Sequence, residues 1–366
     1  MRGNVKKIAP ILAILCLFAL VWRLAGNIAP PAAYPGKYDN SFMQGGKVYL
    51  YDGNGGWRDV TPSAVPDGET LETALFLDQN VGWAVSFNPY PTGDAASFTI
   101  YRTADGGADW ASAGVPADWC GGADMDFIDA DRGWLLVHLG VACGSEGVAV
   151  MRTTDGGETW ETVSVTDFDK NTAGCIGIGG DKNGISFSDA NNGWVGGSDA
   201  SGLIYLWATH DGGYTWQKQD VPAADGMPDA FYITYPPQVY PNGHGILYIC
   251  DTGTMRTLFY ATDDSGETWA LFSDNLPVSG RMQTLYRFSP DGKSVRMTDG
   301  VSMFTLLGGK WDISAINPLL PDDIGIYKMV FTDEKTGWLI PGGEGADYIL
   351  KTADGGKTWT EVANTG

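Results

Sequence analysis

The chain has 366 residues, 43% of them hydrophobic and 18% charged, with 51 glycines and 14 Trp, 16 Tyr and 14 Phe, a balance that excludes disorder, coiled coil and collagen. Its formal charge is −21, and because the first 23 residues carry bases but no acid, the remainder sets 19 basic against 44 acidic residues, a net of −25. Such a chain repels a phosphate backbone and an anionic bilayer surface, so no nucleic-acid partner is expected and any membrane contact is confined to the N-terminal segment.

In chain order, residues 8–22 form an apolar run broken only by Pro10, behind Arg2, Lys6 and Lys7 and ahead of Arg23. This places a signal peptide or membrane anchor over 1–26. The run is long for a signal sequence and short of the ~17 to 25 residues of a spanning helix. Leu24-Ala25-Gly26 is a poor cleavage site, and Cys16 after Ala13-Ile14-Leu15 is a poor lipid-attachment site. An uncleaved anchor, a cleaved signal and lipidation therefore stay open, in that order. In each case the bulk of the chain is extracytoplasmic, anchored or secreted, with 27–40 a Pro/Ala linker.

From 41 to 366 a repeat organises the sequence. Five octads share one pattern: Thr103-Ala-Asp105-Gly-Gly107-Ala-Asp-Trp110, Thr153-Thr-Asp155-Gly-Gly157-Glu-Thr-Trp160, Thr209-His-Asp211-Gly-Gly213-Tyr-Thr-Trp216, Thr262-Asp-Asp264-Ser-Gly266-Glu-Thr-Trp269 and Thr352-Ala-Asp354-Gly-Gly356-Lys-Thr-Trp359. Worn copies end at Trp57 and Trp311, so the closing tryptophans recur every 42 to 56 residues. A second motif precedes the octads in phase, in Phe76-Leu-Asp78-x3-Gly82-Trp83, Phe127-Ile-Asp129-x3-Gly133-Trp134, Phe187-Ser-Asp189-x3-Gly193-Trp194 and Phe331-Thr-Asp333-x3-Gly337-Trp338.

Each unit reads as four short strands with a turn at each motif, and no long amphipathic helix intervenes. This predicts an all-β propeller, seven-bladed with an incomplete first blade at Lys47 to Val60, or six-bladed with a leading hairpin. The residue types suit tight turns. Asp and Thr accept backbone N–H groups nearby, Gly supplies positive φ, and Trp offers an apolar plate. Asp105, Asp155, Asp211, Asp264 and Asp354, with Trp110, Trp160, Trp216, Trp269 and Trp359, are therefore expected to be structural.

The octads match the Asp-box, or BNR, repeat, and so the chain resembles Asp-box propellers, which include sialidases, some glycoside hydrolases and sortilin-type receptors. With the coupled Phe-x-Asp-x3-Gly-Trp motif over Lys47 to Val362, it most resembles the photosystem II assembly and stability factor family of plants and cyanobacteria. That resemblance implies a seven-bladed, exported, non-enzymatic propeller that binds protein partners. The strongly acidic charge and the absence of an arginine-rich surface set this sequence apart, so the expected role is a general extracytoplasmic scaffold or receptor for another membrane or extracytoplasmic protein.

The alternative is a glycan-active or glycan-binding propeller. A sialidase needs an arginine cluster. Arg102 and Arg152 each stand one residue before an octad, as repeat positions do, which leaves Arg256, Arg281 and Arg287. A neutral-glycan hydrolase needs two carboxylates about 5 to 9.5 Å apart, for which Asp124, Asp126, Asp251 and Glu344 are candidates. No catalytic residue is assigned. No Gly-x-Ser-x-Gly elbow or phosphate loop occurs, and Gly177-Ile-Gly179-Gly180 lacks the third glycine of a dinucleotide fingerprint, so no cofactor is expected.

Tyr90 and Trp119 are aromatics outside the repeat pattern in loops of one propeller face, which makes them candidate partner anchors. Cys120 and Cys143 fall in loops of one blade on that face and are expected to form a disulfide; Cys175 and Cys250 could pair likewise. There is no Cys-x-x-Cys, and His138, His210 and His244 lack metal-ligand spacing, so no metal site is expected.

Overall fold

The computed structural model describes residues 40–363 apart from 54–55, 89–95, 118–120, 224–230, 254–255, 278–284, 289–293, 299–301, 308–309, 317–324, 332, 334 and 343–347. Among the described residues there is no helix, and the chain is a seven-bladed β-propeller. Blade 1 holds β1 (Ser41–Gln44), β2 (Lys47–Tyr51) and β3 (Trp57–Asp59). Blade 2 holds β4 (Thr70–Phe76), β5 (Gly82–Phe87), β6 (Ala96–Thr103) and β7 (Ala111–Ala117); blade 3 holds β8 (Ala123–Phe127), β9 (Gly133–Ala142), β10 (Ser145–Thr153) and β11 (Glu161–Thr166). Blade 4 follows with β12 (Asp181–Phe187), β13 (Gly193–Ser198), β14 (Leu206–Thr209) and β15 (Gln217–Lys218). Blade 5 splits its first strand into β16 (Tyr232–Thr234) and β17 (Gln238–Val239), both paired with β18 (Gly245–Asp251), and adds β19 (Arg256–Thr262) and β20 (Ala270–Pro277). Blade 6 is β21 (Leu285–Phe288) to β24 (Lys310–Ala315), and blade 7 is β25 (Gly325–Phe331) to β28 (Thr360–Ala363).

Every blade is an antiparallel meander, so its middle strands are covered on both faces by neighbouring blades. They accordingly read as near-continuous apolar runs: Gly193–Ser198 is buried throughout, whereas the outermost Gln217–Lys218 is exposed. Seven apolar clusters fill the seven blade boundaries. Trp83, Phe98 and Ile100 of blade 2 meet Met125, Phe127 and Leu135 of blade 3, for example. Phe42, Tyr49 and Trp57 of blade 1 meet Val330, Trp338 and Ile340 of blade 7, which shuts the ring.

Blade 7 already owns four strands, and closure uses packing rather than a shared sheet. Two side-chain bonds add to it: Gln44 Nε2 donates to the Pro341 carbonyl at 3.1 Å and Lys328 Nζ to that of Ser41 at 2.6 Å. Trp57 opens the last strand of blade 1, so aligning it with the octad tryptophans makes β1 equivalent to a second strand. Of the two architectures the sequence allows, the seven-bladed one is realised.

Candidate functional site

Antiparallel order puts the two turn motifs of each blade on one face of the ring and the remaining loops on the other. On the turn face the octads make the same bonds in each of the five blades that carry a full copy. In blade 3, Thr153 Oγ1 donates to Asp155 Oδ1 at 2.8 Å, Gly157 N donates to Thr153 Oγ1 at 2.8 Å, and Thr159 N donates to Asp155 Oδ1 at 2.9 Å. The same set is made by Asp211, Asp264 and Asp354, while Asp105 takes the Asp109 N–H. These five carboxylates lie in five different blades.

Hydrogen bonds from the threonine hydroxyls, with those from the chain, hold Asp155, Asp264 and Asp354 down to about 2; Asp105 and Asp211 are lowered too. Trp160, Trp216 and Trp359 each close their own turn by donating to the carbonyl of Gly157, Gly213 and Gly356, whereas Trp110 Nε1 crosses to Val60 O. Trp269 is buried without an acceptor for its indole N–H among the described residues.

The second motif uses its aspartates in the same way. Asp78, Asp129, Asp189 and Asp333 each accept two N–H groups from the following turn. Its glycine is required by close approach, because a Cβ at Gly82, Gly133, Gly193 or Gly337 would collide with the ring of Phe76, Phe127, Phe187 or Phe331. The two turns of a blade are tied together, with Gly156 N donating to Asp131 O at 2.7 Å and Gly212 N to Asn191 O at 2.9 Å.

Arg102 and Arg152 do not gather into an anion site. Each lies against an octad glycine of the next blade, Gly156 and Gly212, and Arg152 also lies over the Trp134 ring at 5.7 Å. Arg256 and Arg287 stand on β19 and β21, two blades' strands, and Arg281 lies outside the described residues. Of the carboxylate candidates, Asp126 is buried and accepts the Phe187 N–H at 2.7 Å, and Asp251 accepts the Gly253 N–H at 2.9 Å. Glu344 lies outside the described residues, as do Tyr90, Trp119 and Cys120.

Asp124 belongs to an ionic network on the opposite, loop face of blades 3 and 4. His138 bridges two carboxylates, Nε2 to Asp124 Oδ2 and Nδ1 to Glu146 Oε1, both at 3.0 Å, with His138 14% and Glu146 2% exposed. Burial opposes a charged imidazole, but the Glu146 charge and the bonds to both carboxylates outweigh it and raise His138 to about 10. Glu146 Oε2 accepts the Lys182 N–H at 2.6 Å. The Lys182 ammonium, pulled down to about 8 by burial, donates to the carbonyls of Glu146, Ile178, Gly179 and Gly180 at 2.8 to 3.3 Å.

This network pins the β9–β10 hairpin to the chain that enters blade 4, where Glu146 N donates to Ile178 O and Gly180 N to Gly144 O, both at 2.9 Å. Tyr205 completes it, its hydroxyl donating to Gly179 O at 2.9 Å. Around the network three large apolar side chains point into solvent: Val141 at 45%, Phe168 at 52% and Leu203 at 60% exposure. Sequence reasoning missed His138, Glu146, Lys182 and Tyr205. The available signal was a histidine inside the apolar strand Leu135-Leu-Val-His138-Leu139 and a lysine two residues after the Gly179-Gly180 pair.

The expected disulfides are corrected here. Cys143, Cys175 and Cys250 are free thiols. Cys143 sits exposed at the hairpin tip with φ of 51°, and Cys250 is turned into the blade 5 to blade 6 cluster, where burial pushes its thiol up to about 11. Among the described residues no group of three or more His, Cys, Asp and Glu is arranged to hold a metal, and no helix is long and apolar enough to cross a membrane.

No protein-family profile and no curated protein matches this sequence. Solved structures do. "YCF48 bound to D1 peptide" is 18% identical, with a TM-score of 0.51 over 88% of each chain. YCF48 from Cyanidioschyzon merolae is 15% identical, with a TM-score of 0.52 over 82% of this chain and 87% of that one. The α-L-arabinofuranosidase Arb93A from Fusarium graminearum is 14% identical, with a TM-score of 0.48 over 82% of this chain and 95% of that one. The fold of YCF48, a photosystem II assembly factor, is thus the fold of this chain, and the resemblance read from the repeat motifs is borne out at that level.

Proposed function

We propose that this protein is a non-catalytic, exported scaffold that binds another membrane or extracytoplasmic protein through the loop face of its propeller. The carrying observation is the division of labour between the faces. The octad carboxylates are engaged in holding their own turns, while the opposite face turns Val141, Phe168 and Leu203 outward. Exposed apolar side chains of this size mark protein contacts more often than sites of chemistry. That a protein with the same fold is known bound to a peptide supports the reading.

In the same proposal the basic and apolar N-terminus, residues 2–23, directs export and anchors the acidic propeller outside the membrane. Crosslinking the full chain in its native membrane tests the function. Stoichiometric recovery of one protein partner is expected. Turnover of a glycoside, abolished by a single loop Asp→Asn change, would replace the proposal with the glycan-active alternative.

A further inference from the structure

Resting on that reading, we propose that the loop face of blades 3 and 4 docks a partner polypeptide segment that interleaves apolar with basic side chains. Three stretches form one continuous surface there. The hairpin 139–147 is bonded to 176–181 through Gly180 N to Gly144 O, and Ser145 bridges Gly180. Asp199, which opens the loop carrying Leu203, lies against Gly180, and Asp167, beside Phe168, lies against Gly147. Val141, Phe168 and Leu203 are therefore borne by segments that touch, and the ionic network beneath fixes their relative positions.

Charge selects the partner. Asp167 and Asp169 flank Phe168 and Asp181 opens the adjoining strand, while Asp124 and Asp199 each face one base, His138 and Lys218. The bases nearby are fewer. His138 and Lys182 are committed to the network, Lys218 is held 3.7 Å from Asp199, and Lys170 alone lies on the Phe168 loop. An acidic rim around exposed apolar side chains, on a chain of net charge −21, disfavours an acidic or phosphorylated ligand and suits lysine or arginine alternating with aliphatic residues. Cys143, an exposed thiol at the hairpin tip, stands within the same surface.

The test uses the full chain in phosphatidylcholine nanodiscs and a synthetic decapeptide of alternating leucine and lysine bearing one benzophenone, with adducts located by peptide mapping. Adducts concentrated in 138–147, 166–181 and 198–205 are expected. Phe168→Asp with Leu203→Asp should cut their yield at least tenfold, whereas Leu271→Asp with Phe272→Asp, on the outer strand of blade 5, should leave it unchanged. Should the double variant fold poorly, Phe168→Ser alone must still lower the yield several-fold.

Adducts spread evenly over the chain, equal labelling by a leucine and glutamate decapeptide, or a dimer in sedimentation that the Phe168 and Leu203 changes dissolve would each overturn the inference. Recovery of a native partner through another face would overturn it while leaving the scaffold reading intact. Failure to recover any partner would instead count against that reading.

Discussion

Trp83 of blade 2 donates its indole N–H to Gly156 O of blade 3 at 2.7 Å while its ring stacks on Phe127 at 3.6 Å. The two repeat motifs thus interlock across the blade boundary: the tryptophan of the Gly-Trp motif reaches the octad of the next unit and lies on the phenylalanine of its Phe-x-Asp. Trp134 repeats the arrangement with Gly212 O at 2.9 Å and Phe187 at 3.7 Å. Trp194 keeps the hydrogen-bonded part through Gln219, whose amide donates on to Gly266 O at 2.7 Å.

At the ring closure this latch is missing. Trp338 packs on Tyr51 and Trp57, and its indole N–H has no acceptor among the described residues. Trp83→Phe should therefore cost more than Trp338→Phe, by about 1 kcal/mol, the usual net value of one hydrogen bond. Thermal unfolding of the two variants compares them, and amide exchange should be faster in β1–β3 than in blade 3.

Ser265 occupies the octad position that is glycine in the other four full copies, and it does so at φ of 64°. Left-handed backbone costs a residue with a Cβ roughly 1 kcal/mol or more. Ser265→Gly should stabilise the protein by a few tenths to about 1 kcal/mol, offset by the entropy of a freer unfolded chain. The denaturation midpoint measures it.

The depressed octad aspartates set an acid limit. A carboxyl whose folded value lies below its unfolded one contributes stability above the unfolded value and loses it as pH falls through the folded one. With Asp155, Asp264 and Asp354 at about 2, that loss falls between pH 4 and pH 2. Replacing the three by Asn should lower stability at pH 7 and flatten its dependence below pH 4, as followed by circular dichroism.

The raised His138 works in the other direction. Its contribution is fully present below about 6.5 and is lost as pH rises through about 10. Glu146→Gln removes the partner that keeps the imidazolium charged. It should destabilise by about 3 kcal/mol or more, the usual cost of stripping one member of a buried pair. The His138 ring resonances should then titrate at lower pH than in the unaltered protein.

Among the thiols, Cys143 should react with a maleimide quickly and Cys250 slowly, because one is exposed and the other is half-buried with its thiol raised to about 11. Non-reducing peptide mapping should find 143, 175 and 250 unpaired, and a Cys120–Cys143 bridge would refute the free thiol at the hairpin tip.

The propeller was legible because its turns are local chemistry repeated in phase. Thr, Asp, Gly and Trp at fixed offsets specify a hairpin whatever the rest of the chain does. The loop-face network was not legible, because Asp124, His138 and Glu146 come together only through the pairing of three strands of blade 3, and Lys182 joins them only when blade 4 packs alongside. Their spacing in the sequence, 14, 8 and 36 residues, follows loop lengths rather than any motif. The disulfide expectation failed for a related reason. Sharing a face says nothing of where a side chain points, and Cys250 points into a blade boundary.

Position-specific photocrosslinking in the cells of origin tests most directly the proposed division of the ring into a stapled face and a binding face. A photoreactive residue at Leu203 should capture one protein partner in equimolar yield, and one at the exposed octad position Thr154 should capture none. Capture from Thr154 with none from Leu203 would contradict it.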